Sequence, residues 1–151
     1  MKALTLWQPW ASLVTMGEKQ VETRCWSTKY RGELAIHAAA KLPPRWLGES
    51  RWGQEFGNEL ADVMHLRRGR VDTAIRDLLP YGCILGVVKL VSIEETSRVR
   101  EILCQRERIF GNFEDGRYAW NLELVERFEI PVPAKGQRLL WNWDRELVVA
   151  S

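Results

Sequence analysis

Lys19, Glu22 and Arg24 stand within one octet, GEKQVETR, from Gly17 to Arg24. Arginine offers a planar fork to phosphate or carbonyl oxygens, glutamate accepts from an exocyclic amine, and lysine supplies a mobile cation. Converging on one point, the three suit a polar ligand. A lysine beside a glutamate is also raw material for a nucleophile and its base, but lysine attacks only when uncharged, and an ion-paired lysine is a poor base. Spacing alone is equally met by an exposed, salt-bridged strand edge, and taken by itself favours that plainer reading. Other chemistries find less. Ser12, in WASLV, is no nucleophile elbow, and the glycines form no phosphate loop. His37 falls inside a strand pattern, where a lone histidine reads as a wall residue, and His65 lies in a basic stretch. Cys25, Cys83 and Cys104 are far apart without a CxxC pair, so they read as reduced thiols with neither a disulfide frame nor a zinc site.

The elements that must position the trio are legible around it. Pro9 suits the first position of a helix through QPWASLVTMG, and Gly17 suits the left-handed residue that ends one. Trp10, Leu13 and Val14 give that helix one buried face. QVETRCW then alternates as a strand, with Val21, Thr23 and Cys25 on one side and Glu22, Arg24 and Trp26 on the other. ELAIHAA reads as a second strand, GCILGVVKLVSIEE as the strongest one, RYAWNLELVERFEIPVP as a long strand or bent pair, and LLWNWD as the last. RVREILCQRE reads as a helix. Pro43 and Pro44 break regular structure, and the polar helical pattern from Arg51 to Leu79 reads as a helical insertion over 43–80. Uneven strand spacing without βαβ alternation predicts a small mixed barrel.

The whole chain sets the bounds. Its 151 residues, 46% hydrophobic and 28% charged, predict one globular domain able to bury a core. No run is long enough for a transmembrane helix and the N-terminus has no signal-peptide pattern, so a cytoplasmic protein with no membrane partner is expected. A net charge of +2 does not by itself imply a polyanion partner, but bases cluster from Lys41 to Arg70, above all in HLRRGR. Of the 8 tryptophans, Trp10, Trp120 and Trp141 fit apolar patterns. Trp7 and Trp26 flank the octet and could stack on a base. Trp46 and Trp52 interleave with Arg45, Arg51, Arg67, Arg68 and Arg70, as in a single-strand track or in a helix anchored to a barrel.

LTLWQPWASLVTMGEKQVETRCW resembles the opening of the ASCH family, the activating signal cointegrator homology domains, whose hallmark GxKxxExR is matched by Gly17, Lys19, Glu22 and Arg24. QPWASL and YRGELAIHAAAK resemble the family's coactivator branch, and FGNFEDGRYAWNLELVERFEIPVPAKGQRLLWNWD resembles the close of small bacterial and phage members. The resemblance implies an α+β, PUA-like mixed β-barrel with short flanking helices, a cleft floored by the motif, and a role with RNA or modified bases. One branch hydrolyses N4-acylated cytidine with the motif lysine and a threonine at the position that Glu22 holds here; Lys19 carries over, but that dyad does not. Another branch is linked to ribonuclease activity, for which no pair of histidines stands out.

The expectation is therefore a single ASCH domain over 1–151 that binds single-stranded RNA or DNA, or a nucleoside-like small molecule, without cofactor or metal. Lys19, Glu22, Arg24, Trp7 and Trp26 would meet the ligand, and Arg45, Arg51, Arg67, Arg68 and Arg70 would meet phosphates. Two rivals remain: an amidohydrolase on a modified nucleoside, with Lys19 and Glu22 catalytic, and a protein–protein adaptor of the transcription coactivator type.

Overall fold

Hydrophobic residues of the Val/Ile/Leu-rich runs are buried on both faces of a sheet, which a computed structural model describes for residues 1–43 and 53–146. Along the described chain run β1 (Lys2–Leu6), α1 (Trp10–Thr15), β2 (Val21–Arg24), β3 (Gly32–Ala38), α2 (Gly53–Val63), α3 (Val71–Leu78), β4 (Cys83–Glu95), α4 (Thr96–Val99), α5 (Gln105–Phe110), β5 (Tyr118–Pro133) and β6 (Leu140–Asn142). The strands form one six-stranded sheet in the order β2-β5-β4-β3-β1-β6.

The main core lies on the face covered by α1, where Leu4, Leu6, Leu34, Ile36, Val88, Leu90, Trp120 and Leu122 meet Ala11 and Val14. The opposite face gathers Ala3, Ala35, Ile84, Trp141 and Trp143. A helical layer outside α1 has its own cluster, in which Leu13 packs with Phe56, Leu60, Val63 and Phe110. Trp10 ties this layer down by donating its indole N–H to the Phe110 carbonyl at 2.8 Å. The helices found at 53–63 and 71–78 thus pack on a satellite cluster, away from the sheet's main core.

Two long strands shape the sheet. β4 and β5 pair antiparallel from Cys83–Pro133 to Glu95–Tyr118, with register shifts between Ile84 and Gly86, Val87 and Val88, and Leu90 and Ser92. Such irregularities bend and twist a strand. Gly86 sits at one of them because a Cβ there would come within 2.3 Å of the Glu126 carbonyl oxygen. The first and last strands close on each other: β1 pairs antiparallel with β6, the Met1 nitrogen donates to the Trp143 carbonyl (2.7 Å), and the Trp143 N–H donates to the Met1 carbonyl (2.8 Å).

The α+β class and the short helices agree with the sequence. Three details differ. The strands at the ends of the order, β2 and β6, each pair on one side, so the described sheet is open and its pairing does not confirm the expected mixed barrel. β1 and β3 are parallel, joined by α1 and β2, although the sequence shows no regular βαβ alternation. The helix expected over RVREILCQRE breaks between α4 and α5, because Ile102 and Leu103 turn back on Val99 through N–H bonds of 3.1 and 3.2 Å to its carbonyl. Among the described residues no helix is long and apolar enough to cross a membrane.

Candidate functional site

The octet begins where α1 stops. Gly17 has φ 78°, its N–H donates to the Val14 carbonyl at 3.1 Å, and the Glu18 N–H reaches back to Leu13 at 3.0 Å. This is the left-handed turn that satisfies a helix's last carbonyls, and it favours glycine because a Cβ is strained at that φ. The Lys19 N–H adds a second bond to the Leu13 carbonyl at 3.1 Å, so the lysine leaves the helix with its backbone fixed. β2 follows at once as an edge strand. Register places Glu22 opposite Trp120 and Arg24 opposite Tyr118, on the face of the main core, while Val21 and Thr23 oppose Asn121 and Ala119 on the other.

Lys19 and Glu22 are both buried, the lysine with a side chain 0% exposed. The ammonium donates to the Val21 carbonyl and stands 4.0 Å from Glu22 Oε1. That same carboxylate oxygen accepts the Thr23 N–H at 2.7 Å. Two further side chains complete the pattern. Glu107, buried on α5, accepts the Gln20 N–H at 2.6 Å and the Val21 N–H at 3.3 Å, and Arg117 donates to the Thr23 carbonyl at 3.2 Å. Hence the outward amides and carbonyls of Val21 and Thr23, which an edge strand would otherwise offer to another strand, are each held by a charged side chain.

Arg24 behaves differently. It is half-buried, and its guanidinium lies 5.8 Å from the Trp26 ring centre. Trp26 in turn meets Trp120 edge-on, ring centres 4.7 Å apart, and its carbonyl accepts the Trp120 indole N–H at 3.3 Å. The cation therefore sits over an aromatic anchored to the core.

Two cavities adjoin the start of β2. The smaller, about 180 Å³, is lined by Lys19 and Glu123 together with Val14, Gly17, Gln20, Val88, Leu122 and Leu124. A larger one, about 540 Å³, lies between β2, the β4–β5 pair and α5. Glu22, Arg24, Trp7 and Trp26 line neither of the two. The structure thus brings Lys19 and Glu22 together, stations Arg24 with Trp26 at the far end of the strand, and leaves Trp7, 39% exposed, ahead of α1. Arg67, Arg68 and Arg70 are exposed in the turn between α2 and α3, where Arg68 pairs with Asp62 at 3.2 Å, and no hydrogen bond or ion pair joins them to the octet. Arg45, Arg51, Trp46 and Trp52 lie outside the described residues.

Glu107 and Arg117 escaped the sequence reading. The one signal for Glu107 is its place three residues before buried Phe110, which puts a carboxylate on the apolar side of a helix. Nothing in the sequence marks Arg117. His37 is a wall residue on the other side: it is 1% exposed, its ring Nε2 bonds the Ala134 carbonyl at 2.8 Å, and it meets Trp141 edge-on. Burial lowers its pKa, against the weaker upward pull of that carbonyl. Cys25 and Cys104 are exposed free thiols, and Cys83 is a buried one whose pKa burial pushes up.

The ASCH domain family model matches residues 4–132. The chain is 31% identical over 144 residues to activating signal cointegrator 1 of Homo sapiens, and 30% identical over 144 residues to that of Mus musculus. Each match covers 95% of this chain but 22% of the relative, so the chain spans about a fifth of the length of the curated proteins it matches.

Proposed function

The chain belongs to the ASCH domain family, and from that premise we propose that it binds single-stranded nucleic acid, RNA in the first place, by admitting one base or its substituent beside Lys19 and Glu22. The observation that carries this reading is the buried pair itself, with no side-chain exposure at Lys19 and a cavity against it. A buried ion pair is weak as a stabilising device, since apolar residues of similar volume do as well. Of the pair, Lys19 lines that cavity, and Glu22 is held 4.0 Å from its ammonium without lining it. The cavity of about 180 Å³ is smaller than the range of about 300–1,000 Å³ that holds a whole small molecule, so it accommodates a ring or a substituent and leaves the rest of the ligand outside. Arg24 over Trp26 supplies a stacking and phosphate-facing rim for that remainder.

In this reading the sheet is a PUA-like wall, the segment 43–80 is an insertion on it, and Arg67, Arg68 and Arg70 are sequence-blind phosphate contacts. The test is a titration of several single-stranded oligonucleotides and nucleosides at two salt concentrations. Replacing the three arginines with alanine should weaken all oligonucleotides alike and reduce the salt slope by about one counterion per lost contact. Glu22→Gln keeps the shape but removes an anionic acceptor, so it should change which base is preferred. A uniform gain of affinity in Glu22→Gln would reduce the pair to background electrostatics and overturn the base-reading role. Including N-acylated nucleosides tests the hydrolase alternative: turnover that Lys19→Met abolishes would replace binding by catalysis.

A further inference from the structure

The larger cavity beside β2 has a chemistry of its own. Its volume is about 540 Å³, and three carboxylates, Glu18, Glu107 and Glu123, stand in its lining against one guanidinium, Arg106. Arg106 is already engaged, at 2.8 Å from Glu18 and 2.6 Å from Glu59. Glu123 is exposed and makes no ion pair among the described residues. Lys89 stands opposite Glu123 across the β4–β5 pair, so the lining keeps an excess of carboxylates over cations, which disfavours phosphates and favours cations.

Its walls are also apolar where solvent reaches them. Ile102, in the turn between α4 and α5, is 81% exposed, and Val91 is 43% exposed. Val91 falls in the register shift between Leu90 and Ser92, so the bulge leaves it without a partner on β5 and turns it toward the groove. An apolar floor with an acidic rim fits a partner whose apolar residues alternate with bases. The strand edge beside it is closed, because Glu107, Lys19, Glu22 and Arg117 hold the outward groups of Val21 and Thr23. A partner cannot add a strand there and must dock through its side chains.

We propose that this groove is a docking site for a cationic, amphipathic segment of a partner protein, bound by contacts with Ile102 and Val91 and by the carboxylates led by Glu123. The groove adjoins the small cavity beside Lys19 and shares Gly17, Gln20, Leu122 and Glu123 with it, whereas Val91 and Ile102 belong to the groove and not to that cavity. The experiment follows backbone amide NMR shifts while a short peptide alternating lysine and leucine is titrated in, beside its glutamate–leucine counterpart and a single-stranded oligonucleotide. Expected are shifts at Val91 and Ile102 with the cationic peptide alone, and affinity that falls with salt. Glu123→Lys and Ile102→Ser, both exposed and safe for folding, should each weaken the peptide by about fivefold or more. Equal binding of the acidic peptide, shifts confined to other surfaces, or indifference to both variants overturns the proposal. Oligonucleotide shifts at Val91 and Ile102 also overturn it, whereas the presence or absence of oligonucleotide shifts at Lys19–Arg24 and Glu123 bears only on the nucleic-acid reading.

Discussion

Gly17 is where one residue decides whether the octet has a shape at all. Its φ of 78° costs a residue with a Cβ about 1–2 kcal/mol, so Gly17→Ala should lower the unfolding free energy by that amount in denaturant titration. It should also lower the affinity of any ligand that meets Lys19, since the turn sets the lysine's departure from α1. His37 carries the pH dependence of this scale. Burial depresses its folded pKa below the ordinary 6.5, so the unfolded chain takes up a proton that the fold refuses. Its contribution is therefore complete above about pH 6.5 and is lost as pH falls from there toward the folded value. The denaturation midpoint should drop between about pH 7.5 and 5.5, and His37→Phe should flatten that limb. Lys19, Glu22 and Arg24 were legible because helix stop and strand alternation are local signals. Glu107 and Arg117 were not, because their roles come from contacts with residues 86 and 94 positions away.

At the scale of elements, β2 is a four-residue edge strand held on its inner side by β5 and on its outer side by charged side chains. Glu107→Gln keeps one acceptor and turns an amide N–H toward a second donor. Hydrogen exchange at Gln20 and Val21 should speed up by about tenfold or more, as expected when a buried hydrogen bond to a charge is lost, while the β3–β4 amides stay protected. Unchanged exchange at Gln20 and Val21 would show that α5 does not hold the strand. The bulged β4–β5 pair has a sharper constraint. Gly86→Ala places a Cβ against the Glu126 carbonyl and should cost about 1–3 kcal/mol through overpacking, read as a lower thermal midpoint. Sequence pattern located both long strands, since Val/Ile/Leu runs bounded by turn residues are distinctive. It did not show the parallel β1–β3 pair, because pairing partners are chosen by burial of faces that only the assembled sheet defines.

For the whole molecule, the helical layer and the sheet are two cores joined through α1, whose Leu13 belongs to one and Val14 to the other. Phe110, fully buried in the outer cluster, should cost about 3–5 kcal/mol when replaced by alanine. The loss should appear as one cooperative transition if the layers fold together, and as an early separate one if the helices come away first. A near-neutral total of +2 hides an uneven surface, with bases at Arg67–Arg70 and carboxylates around the groove, and composition could not reveal how they are apportioned. The pairing of Met1 with Trp143 matters in a different way. Because residue 1 and residue 143 are hydrogen-bonded neighbours, the outer ends of β1 and β6 lie side by side. A circular permutant, with its old termini spliced by a short linker and new ones cut at the exposed Asp115–Gly116 turn, should therefore regain the same sheet and the same ligand affinities. By the same geometry the domain could be threaded into a surface loop of a host protein, like a bead on a pinched string, with little strain on either.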